Sequence, residues 1–306
     1  MFEMPEKVTI REVGPRDGLQ NEEENIATED KIDWINLLSQ SGLDYIEFSS
    51  FVHPKWIPQL KDAREVAEGI TRTPGITYAA LVPNRKGLEN AIDTDVDEVS
   101  VFMSASETHN KKNINKTIEE TYRVLEEVVT EAKAAGKTVR GYVSTVFGCP
   151  YEGKVAPSRV FEVSNRLFQM GIDELSLGDT IGVANPKQVD EFLKQMEENV
   201  PFSKVAMHFH NTSGMALANV LVSLERGITK FDAALGGLGG CPYADGASGN
   251  LATDDLVHML EEMGIETGVN QEKLAEAATF IQSRISKELP SHQMQIRNRQ
   301  GGRNDG

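Results

Sequence analysis

The stretch Lys204-Val205-Ala206-Met207-His208-Phe209, followed directly by His210, has the apolar content of a short buried β-strand. Residues two apart on a strand point to the same face, so the two imidazoles can reach one ion from the same side. Imidazole pairs of this kind suit a divalent metal. The alternative interpretation is two half-buried histidines on an edge strand. The pattern around this strand favours the metal.

Strand-like runs alternate with helix-like segments eight times along the chain. The predicted strands are Val8–Val13, Tyr45–Phe48, Thr77–Val82, Glu98–Met103, Thr138–Val146, Glu174–Leu177, Lys204–Phe209 and Thr229–Ala234. Eight such units with no second kind of pattern predict an α/β fold, a (β/α)8 TIM barrel. A doubly wound open sheet is the alternative, but the Gly-rich phosphate turn that normally follows its first strand is absent.

The helix-like segments have recognisable ends. Thr117-Ile118-Glu119-Glu120 is a capping box, and Asn185-Pro186 supplies an N-cap followed by proline at the first helical position. Four glycines stand where helices should stop: Gly136, Gly171, Gly227 and Gly264.

The chain of 306 residues shows no interdomain linker, so we expect one catalytic domain over 1–306. The barrel should occupy about 8–269, with a C-terminal helical extension over about 270–299. Within that extension, one extra helix is predicted from about Gln271 to Leu289. The tail 300–306 has the composition of a frayed end.

Composition excludes several classes of protein. No apolar run is long enough to span a bilayer, and the N-terminus resembles neither a secretory signal nor a transit peptide. The net charge of −16 argues against nucleic acid and anionic membranes as partners. Two cysteines cannot form a disulfide framework, so the cytoplasm is the expected location.

Polar residues follow the predicted strands at their carboxyl ends, where the active site of a TIM barrel lies. They are Arg16 and Asp17 after the first strand, Glu47 on the second, Ser176 and Asp179 on the sixth, His208 and His210 on the seventh, and Cys241 and Asn250 after the eighth. Residues far apart in sequence should thus meet at one rim. This convergence predicts an enzyme.

The expected ligands of a divalent cation are Asp17, His208, His210 and Asn250. Their mixed nitrogen and oxygen donors suit Mg²⁺ or Mn²⁺ and leave positions for a substrate that chelates through hydroxyl and carboxylate oxygens. Arg16 beside them can stabilise an oxyanion. The alternative for Arg16 and Asp17 is a local ion pair at a turn.

Cys241 lies in a glycine-rich segment, Gly236-Gly237-Leu238-Gly239-Gly240-Cys241-Pro242-Tyr243, which predicts a loop able to close over a ligand. A cysteine there can serve as a proton donor or acceptor, and the alternative is a small buried apolar residue. Cys149, in Gly148-Cys149-Pro150-Tyr151, lacks the long glycine run and is assigned to packing or loop structure.

Four segments resemble the 3-hydroxy-3-methylglutaryl-CoA lyases, members of a wider family of metal-dependent TIM-barrel lyases and synthases. They are Val13–Glu22, Ser50–Trp56, Ser176–Gly182, and Gly237–Tyr243 together with Gly246–Thr253. The resemblance extends from about Val8 to Val269. It implies cleavage of the acyl-CoA substrate to acetyl-CoA and acetoacetate, with a homodimer and a role in leucine degradation or ketone-body formation as further expectations.

The resemblance also implies roles for particular residues. Arg16, Glu47 and Cys241 would be catalytic, and Asp17, His208, His210 and Asn250 would bind the metal. Substrate binding would involve Arg16, Ser50, Asn113, Ser176 and Asp179, and Lys111 and Lys112 are candidates for contacting the CoA phosphates. For the two lysines, the alternative is a solvated surface run.

One departure from the lyase pattern follows the second histidine, where Asn211-Thr212-Ser213 replaces a sequence that usually begins Asp-Thr. Three alternatives therefore stay open. They are a lyase for a longer-chain 3-hydroxyglutaryl-CoA, a synthase that condenses acetyl-CoA with a 2-oxo acid, and a non-catalytic metal-binding barrel.

Overall fold

The computed structural model describes residues 4–239 and 249–301. The strands are β1 (Thr9–Glu12), β2 (Tyr45–Ser50), β3 (Thr77–Leu81), β4 (Glu98–Ser104), β5 (Thr138–Ser144), β6 (Glu174–Asp179), β7 (Val205–Phe209) and β8 (Lys230–Ala233). The helices are α1 (Thr28–Ser39), α2 (Ala63–Gly69), α3 (Arg85–Asp93), α4 (Glu107–Ile114), α5 (Ile118–Ala134), α6 (Pro157–Met170), α7 (Pro186–Met196), α8 (Ala216–Glu225), α9 (Thr253–Glu262), α10 (Gln271–Gln282) and α11 (His292–Gly301).

The eight strands form a closed parallel barrel in which each strand pairs with the next and β1 also pairs with β8. The predicted (β/α)8 barrel is confirmed, and the open doubly wound sheet is wrong. Because all strands run in the same direction, their carboxyl ends lie at one rim. Those of the predicted rim residues that the structure describes lie at this end of the barrel as a consequence of topology.

Side chains alternate between the barrel interior and the helical layer. On β5, Val139 and Val143 belong to the apolar core, and a Cβ built on Gly141 would lie 2.9 Å from the side chain of Ile172. Arg140 and Tyr142 therefore point into the barrel, where both are buried. The barrel interior thus carries charged and polar groups beneath the rim.

The predicted helix signals are confirmed within the described residues. Thr117 and Glu120 form a reciprocal capping box at the start of α5, and the side chain of Asn185 accepts the Gln188 N–H at the start of α7. The four predicted stop glycines all have positive φ: Gly136, Gly171, Gly227 and Gly264. Glycine has no Cβ to oppose that conformation.

The prediction of one helix over about 271–289 is wrong. The helix that begins at Gln271 is α10, which packs against α1 and ends at Gln282, and a separate helix, α11, follows it and extends into the predicted frayed tail. Pro290, which lacks an N–H and disfavours helical conformation at Leu289, keeps α11 from joining α10 as one helix. The first N–H groups of α11 are satisfied by Asp255, which accepts from His292 and Gln293.

Within the described ranges, no helix combines the length and apolar character that a bilayer crossing requires.

Candidate active site

A tight π-helical turn, Gly14–Gly18, follows β1 and carries Arg16 and Asp17. The Asp17 N–H donates to the Val13 carbonyl at 2.7 Å, which closes the turn. Its glycines are required for close approach. A Cβ on Gly14 would lie 2.5 Å from Glu12 Oε1, and one on Gly18 would lie 2.9 Å from Leu238 Cβ.

Three of the predicted metal ligands come together at the rim. Donor atoms of Asp17, His208 and His210 all lie within 4.8 Å of one another, and the two imidazole centroids are 5.3 Å apart. Asn250 joins them, because its Nδ2 donates to Asp17 Oδ2 at 2.9 Å. Four residues from three separate parts of the chain thus form one cluster.

The protonation of Asp17 and His210 suits a cation ligand set. Burial, together with the neighbouring His208, lowers the pKa of His210 to about 4, so this imidazole is neutral near pH 7. Burial alone would raise the pKa of Asp17, but Arg16 and the two histidines outweigh it, and the pKa lies below its ordinary value. An ionised carboxylate beside a neutral imidazole is what a divalent cation requires.

Two buried atoms of the cluster also fit a cation. Within the described residues, His210 Nδ1 and Asn250 Oδ1 have no hydrogen-bond partner. A buried polar atom without a partner costs about 1–3 kcal/mol, so such atoms commonly mark an absent ion or water. The amide oxygen and imidazole nitrogen are donors of the kind that Mg²⁺ or Mn²⁺ accepts.

Arg16 is held rigidly beside the cluster. Its Nε donates to Glu47 Oε2 at 2.5 Å, its Nη1 donates to Asp17 Oδ1 at 2.5 Å, and its guanidinium lies 5.2 Å from the centre of the Tyr142 ring. The local ion pair considered from sequence is therefore present. The additional contacts with Glu47 and Tyr142 tie the guanidinium to the barrel interior as well.

Sequence reasoning missed the charged groups beneath the rim. Arg140 Nη1 donates to Tyr142 Oη at 2.6 Å, and Tyr142 Oη donates to Glu47 Oε2 at 3.2 Å. Arg140 also forms an ion pair with Asp232, which contacts His208. The available signal was the alternation on β5 and β8, because a charged residue at an inward position of a buried strand needs a partner.

Glu12 is a further missed residue, and it joins the loops after β1 and β8. Its Oε1 accepts N–H groups from Gly14 at 2.7 Å and Leu235 at 3.0 Å, while Oε2 accepts the Thr253 hydroxyl at 2.6 Å. Burial, opposed by these donors, raises the pKa of Glu12 to about 7. The protonated form therefore favours the folded state.

We expect Glu12→Gln to gain stability over the wild type as pH rises. The pKa of Glu12 is higher in the folded state than in the unfolded state, so the protonated carboxyl stabilises the folded protein. This stabilisation is complete below the unfolded-state pKa of 4.5 and is lost as pH rises through about 7. Glutamine keeps Oε1 for the two N–H groups, and its Nε2 can donate to Thr253. Between pH 5 and pH 8 the difference in unfolding free energy should grow by about 2 kcal/mol in favour of the variant.

Urea unfolding at a series of pH values measures this difference. Glu174→Gln is the matched control, because ion pairing with Arg140 and Arg11 outweighs burial and lowers the pKa of Glu174 to about 2. That carboxyl is ionised in both states above pH 5, so its difference from the wild type should be constant. A constant difference for Glu12→Gln as well would contradict the expectation.

Three other predicted site residues make contacts within the protein. Ser176 Oγ donates to Asp232 Oδ2 at 2.7 Å. Asp179 accepts the N–H groups of Val183 and Ala184, and burial raises its pKa to about 6 against the effect of these donors. Ser50 lies buried at the end of β2. All three are on strands that end at the rim.

The two lysines predicted to contact the CoA phosphates and the predicted substrate residue Asn113 lie on α4, where sequence reasoning placed a loop. Lys111 pairs with Glu107 at 3.2 Å, and Lys112 Nζ lies 5.1 Å from the centre of the Tyr151 ring. Asn113 is exposed, as are both lysines. Because α4 follows β4, it belongs to the same end of the barrel as the cluster.

Of the two cysteines, Cys149 lies within the described residues. Cys241 lies outside the described residues, so its proposed role rests on sequence. Cys149 is buried, and its thiol lies 3.0 Å from Ser106 Oγ, while its backbone pairs with that of Gly153. The assignment of Cys149 to loop structure agrees with these contacts.

The family model described as HMGL-like matches residues 7–281, which include the whole barrel and the rim cluster. This chain belongs to the HMGL-like family.

Individual relatives in the HMGL-like family are similar over nearly the full chain. The hydroxymethylglutaryl-CoA lyase YngG of Bacillus subtilis is 59% identical over 292 residues, which cover 95% of this chain and 98% of that protein. The crystal structure of the B. subtilis HMG-CoA lyase has a TM-score of 0.95 at 58% identity and covers 96% of this chain and 99% of that one.

A third HMGL-like relative carries a ligand. The HMG-CoA lyase of Acinetobacter baumannii, solved in complex with coenzyme A and 3-methylmalate, has a TM-score of 0.90 at 42% identity. The match covers 94% of each chain. The family match thus covers the residues that form both the barrel and the rim cluster, and the solved relatives have the same fold.

Proposed function

We propose that this protein is a carbon–carbon lyase that cleaves 3-hydroxy-3-methylglutaryl-CoA to acetyl-CoA and acetoacetate. The observation that carries the proposal is the cluster of Asp17, His208 and His210 beside a fixed Arg16, in a chain 59% identical to a curated lyase of this type. The cluster and Arg16 support metal-assisted cleavage, and the sequence identity to the lyase supports the choice of substrate.

Asp17, His208, His210 and Asn250 would hold a divalent cation, Mg²⁺ or Mn²⁺. The partnerless Asn250 Oδ1 and His210 Nδ1 support this assignment, as does the low pKa of Asp17. When bound, such a cation supplies Lewis acidity to the hydroxyl and carboxylate oxygens of a chelating substrate.

Arg16 would stabilise negative charge on the thioester oxygen as the carbon–carbon bond breaks. The electron pair of the broken bond passes to the thioester fragment, which becomes an enolate, and the other fragment becomes a ketone. A cation fixed in advance at the enolate oxygen lowers the barrier because it needs no reorganisation. Glu47 and Tyr142 hold the guanidinium in place for this purpose.

Cys241 would carry out proton transfer. The substrate hydroxyl loses one proton as the ketone forms, and the enolate carbon gains one as acetyl-CoA forms, so the reaction is balanced without a redox partner. A thiol can accept or donate at neutral pH when its surroundings adjust its pKa. The glycine-rich sequence around Cys241 supports a loop able to bring the thiol to the substrate.

The acyl-CoA would lie across the same rim. Ser50, Asn113, Ser176 and Asp179 are proposed to bind or support its acyl end, and Lys111 and Lys112 its phosphates. The net charge of −16 repels a polyanion, so local cations such as these two lysines would be needed to attract it. The relative solved with coenzyme A supports a CoA site in this fold.

The cellular setting is proposed from the same reasoning. We infer a cytoplasmic homodimer that acts in leucine degradation or in ketone-body formation. The small number of cysteines supports a reducing compartment. The homodimer and the pathway rest on the resemblance to the lyases.

An assay of acetoacetate release tests the proposed function. We expect turnover of 3-hydroxy-3-methylglutaryl-CoA with Mg²⁺ or Mn²⁺, loss with EDTA, and recovery when the metal is restored. A preference for a longer-chain 3-hydroxyglutaryl-CoA, or condensation of acetyl-CoA with a 2-oxo acid, would reassign the enzyme. Metal binding without any turnover would indicate a non-catalytic barrel.

The Asn211 departure bears on the longer-chain alternative. Asn211 Oδ1 accepts the Ala216 N–H at 3.2 Å, at the start of α8. Ser213 Oγ donates to the Gly182 carbonyl at 2.7 Å, so the segment also packs on the loop after β6. These contacts are structural ones, and they give no separate support to a different acyl group.

A further inference from the structure

Asp232 is a fully enclosed carboxylate beneath the rim. It lies on β8 at 1% exposure, and the side chains around it come from β5, β6 and β7. Its Oδ1 accepts Arg140 Nη2 at 2.5 Å, and its Oδ2 accepts Ser176 Oγ at 2.7 Å. Oδ2 also lies 3.0 Å from His208 Nδ1.

The protonation of His208 Nδ1 follows from these contacts. Asp232 is paired with the Arg140 guanidinium and also accepts the Ser176 hydroxyl, so both of its oxygens act as hydrogen-bond acceptors. A nitrogen 3.0 Å from a carboxylate oxygen must carry the hydrogen, because two acceptors would repel. In neutral His208 the lone pair therefore belongs to Nε2.

Nε2 is the nitrogen that faces the rest of the cluster. It lies 3.7 Å from Asp17 Oδ2, while Nδ1 faces Asp232. The two ring nitrogens thus have separate partners.

We propose that Asp232 is a positioning residue that fixes the His208 ring with Nδ1 protonated, so that the Nε2 lone pair is directed at the metal cation. Arg140 neutralises the carboxylate and fixes its plane through two donors, Nη1 and Nη2. Ser176 acts on the same carboxylate, which gives this serine a positioning role beside any contact with substrate. Carboxylate–histidine–metal arrangements orient the ligand and raise its basicity.

His210 provides the contrast within the same cluster. Its Nδ1 is buried and has no hydrogen-bond partner in the described part of the chain. Because this is the nitrogen that the cluster offers to a cation, His210 would bind through Nδ1 and His208 through Nε2. This inference rests on the metal site of the proposed function but not on its substrate.

The test is a titration of the purified protein with Mn²⁺, followed by electron paramagnetic resonance, without substrate. We expect Asp232→Asn to weaken Mn²⁺ affinity by about 10- to 100-fold. An amide at this position can donate to His208 Nδ1 and drive the hydrogen to Nε2, where it blocks coordination. Affinity equal to the wild type in a folded variant would overturn the proposal.

Two matched variants calibrate the titration. Glu174→Gln removes another carboxylate that pairs with Arg140, at 2.9 Å, and has no contact with His208, so its Mn²⁺ affinity should stay within about 2-fold. His210→Ala removes a proposed ligand and sets the size of a direct loss. An equal loss in Glu174→Gln would mean that Asp232 acts only through Arg140 and the general fold, which would overturn the positioning role.

Nitrogen NMR of the wild type keeps the proposal testable even where Asp232→Asn does not fold. With histidine labelled by ¹⁵N, at pH 8 and saturating Mg²⁺, His208 should show a protonated Nδ1 and no proton on Nε2. Its signals are assigned by their loss in His208→Gln. A proton on Nε2 instead would overturn the proposal, whereas failure of wild-type protein to bind either metal would reject the metal site of the proposed function itself.

Discussion

Replacing Cys241 with alanine is expected to lower the rate of acetoacetate release by about 10²- to 10⁴-fold, the usual contribution of a positioned acid or base. The loss should appear in kcat, because the thiol would transfer a proton in the transition state and would not contribute to binding the acyl-CoA. Metal affinity and the thermal unfolding midpoint should stay at wild-type values. Steady-state kinetics with Mg²⁺ measures the first effect, and Mn²⁺ titration the second.

Cys149 supplies the control for this experiment within the same chain. It is a buried thiol 3.0 Å from Ser106 Oγ, in a loop whose backbone pairs Cys149 with Gly153. Cys149→Ala should lower the unfolding free energy by about 1 kcal/mol and leave kcat within about 2-fold. Equal losses of kcat in the two variants would reject the distinction between a chemical and a structural cysteine.

Arg16→Gln is expected to lower kcat by about 10²- to 10³-fold, the effect of removing one fixed stabiliser of an oxyanion. Glu47 and Asp17 fix the guanidinium beside the cluster, and glutamine carries no charge, so the variant loses the fixed positive charge at this place. Metal affinity should not fall, because the proposed ligands are retained and Asp17 loses a competing cation.

Arg11→Gln is the matched control for Arg16→Gln. Arg11 lies on β1 and pairs with Glu174 at 3.0 Å, so its replacement also removes an ion pair from the barrel. Glu174 contacts Arg140 from the side that faces away from the rim. Because the replaced ion pair is distant from the site, kcat should stay within about 2-fold of the wild type. Wild-type rates in Arg16→Gln would refute the oxyanion role, and similar losses in both variants would indicate general damage to the barrel.

The fold was predictable because its signals are local. Each strand and each helix end depends on residues within about ten positions, as in the capping box at Thr117 and the positive-φ glycine at Gly171. Repetition of one strand–helix unit then leaves few topologies. Two predictions about helices were wrong: the helix predicted to reach Leu289 ends at Gln282, and α4 lies where a loop was predicted.

The rim cluster was predictable for a geometric reason. In a parallel barrel the carboxyl ends of all strands meet, so Asp17, His208 and Asn250 must approach one another whatever the details of packing. Sequence order along the strands was sufficient to bring them together. Which atoms face one another was not predictable in this way.

The closed barrel and the described groups at its mouth could be predicted from the sequence, since both follow from periodicity and strand direction. The tertiary structure alone decided how the interior charges pair. Arg140 and Asp232 are 92 positions apart, on strands that are not neighbours, and their contact crosses the barrel. Strand alternation shows that both side chains point inward. Which inward side chains meet depends on the tilt and stagger of the closed barrel, and these depend on all eight strands together.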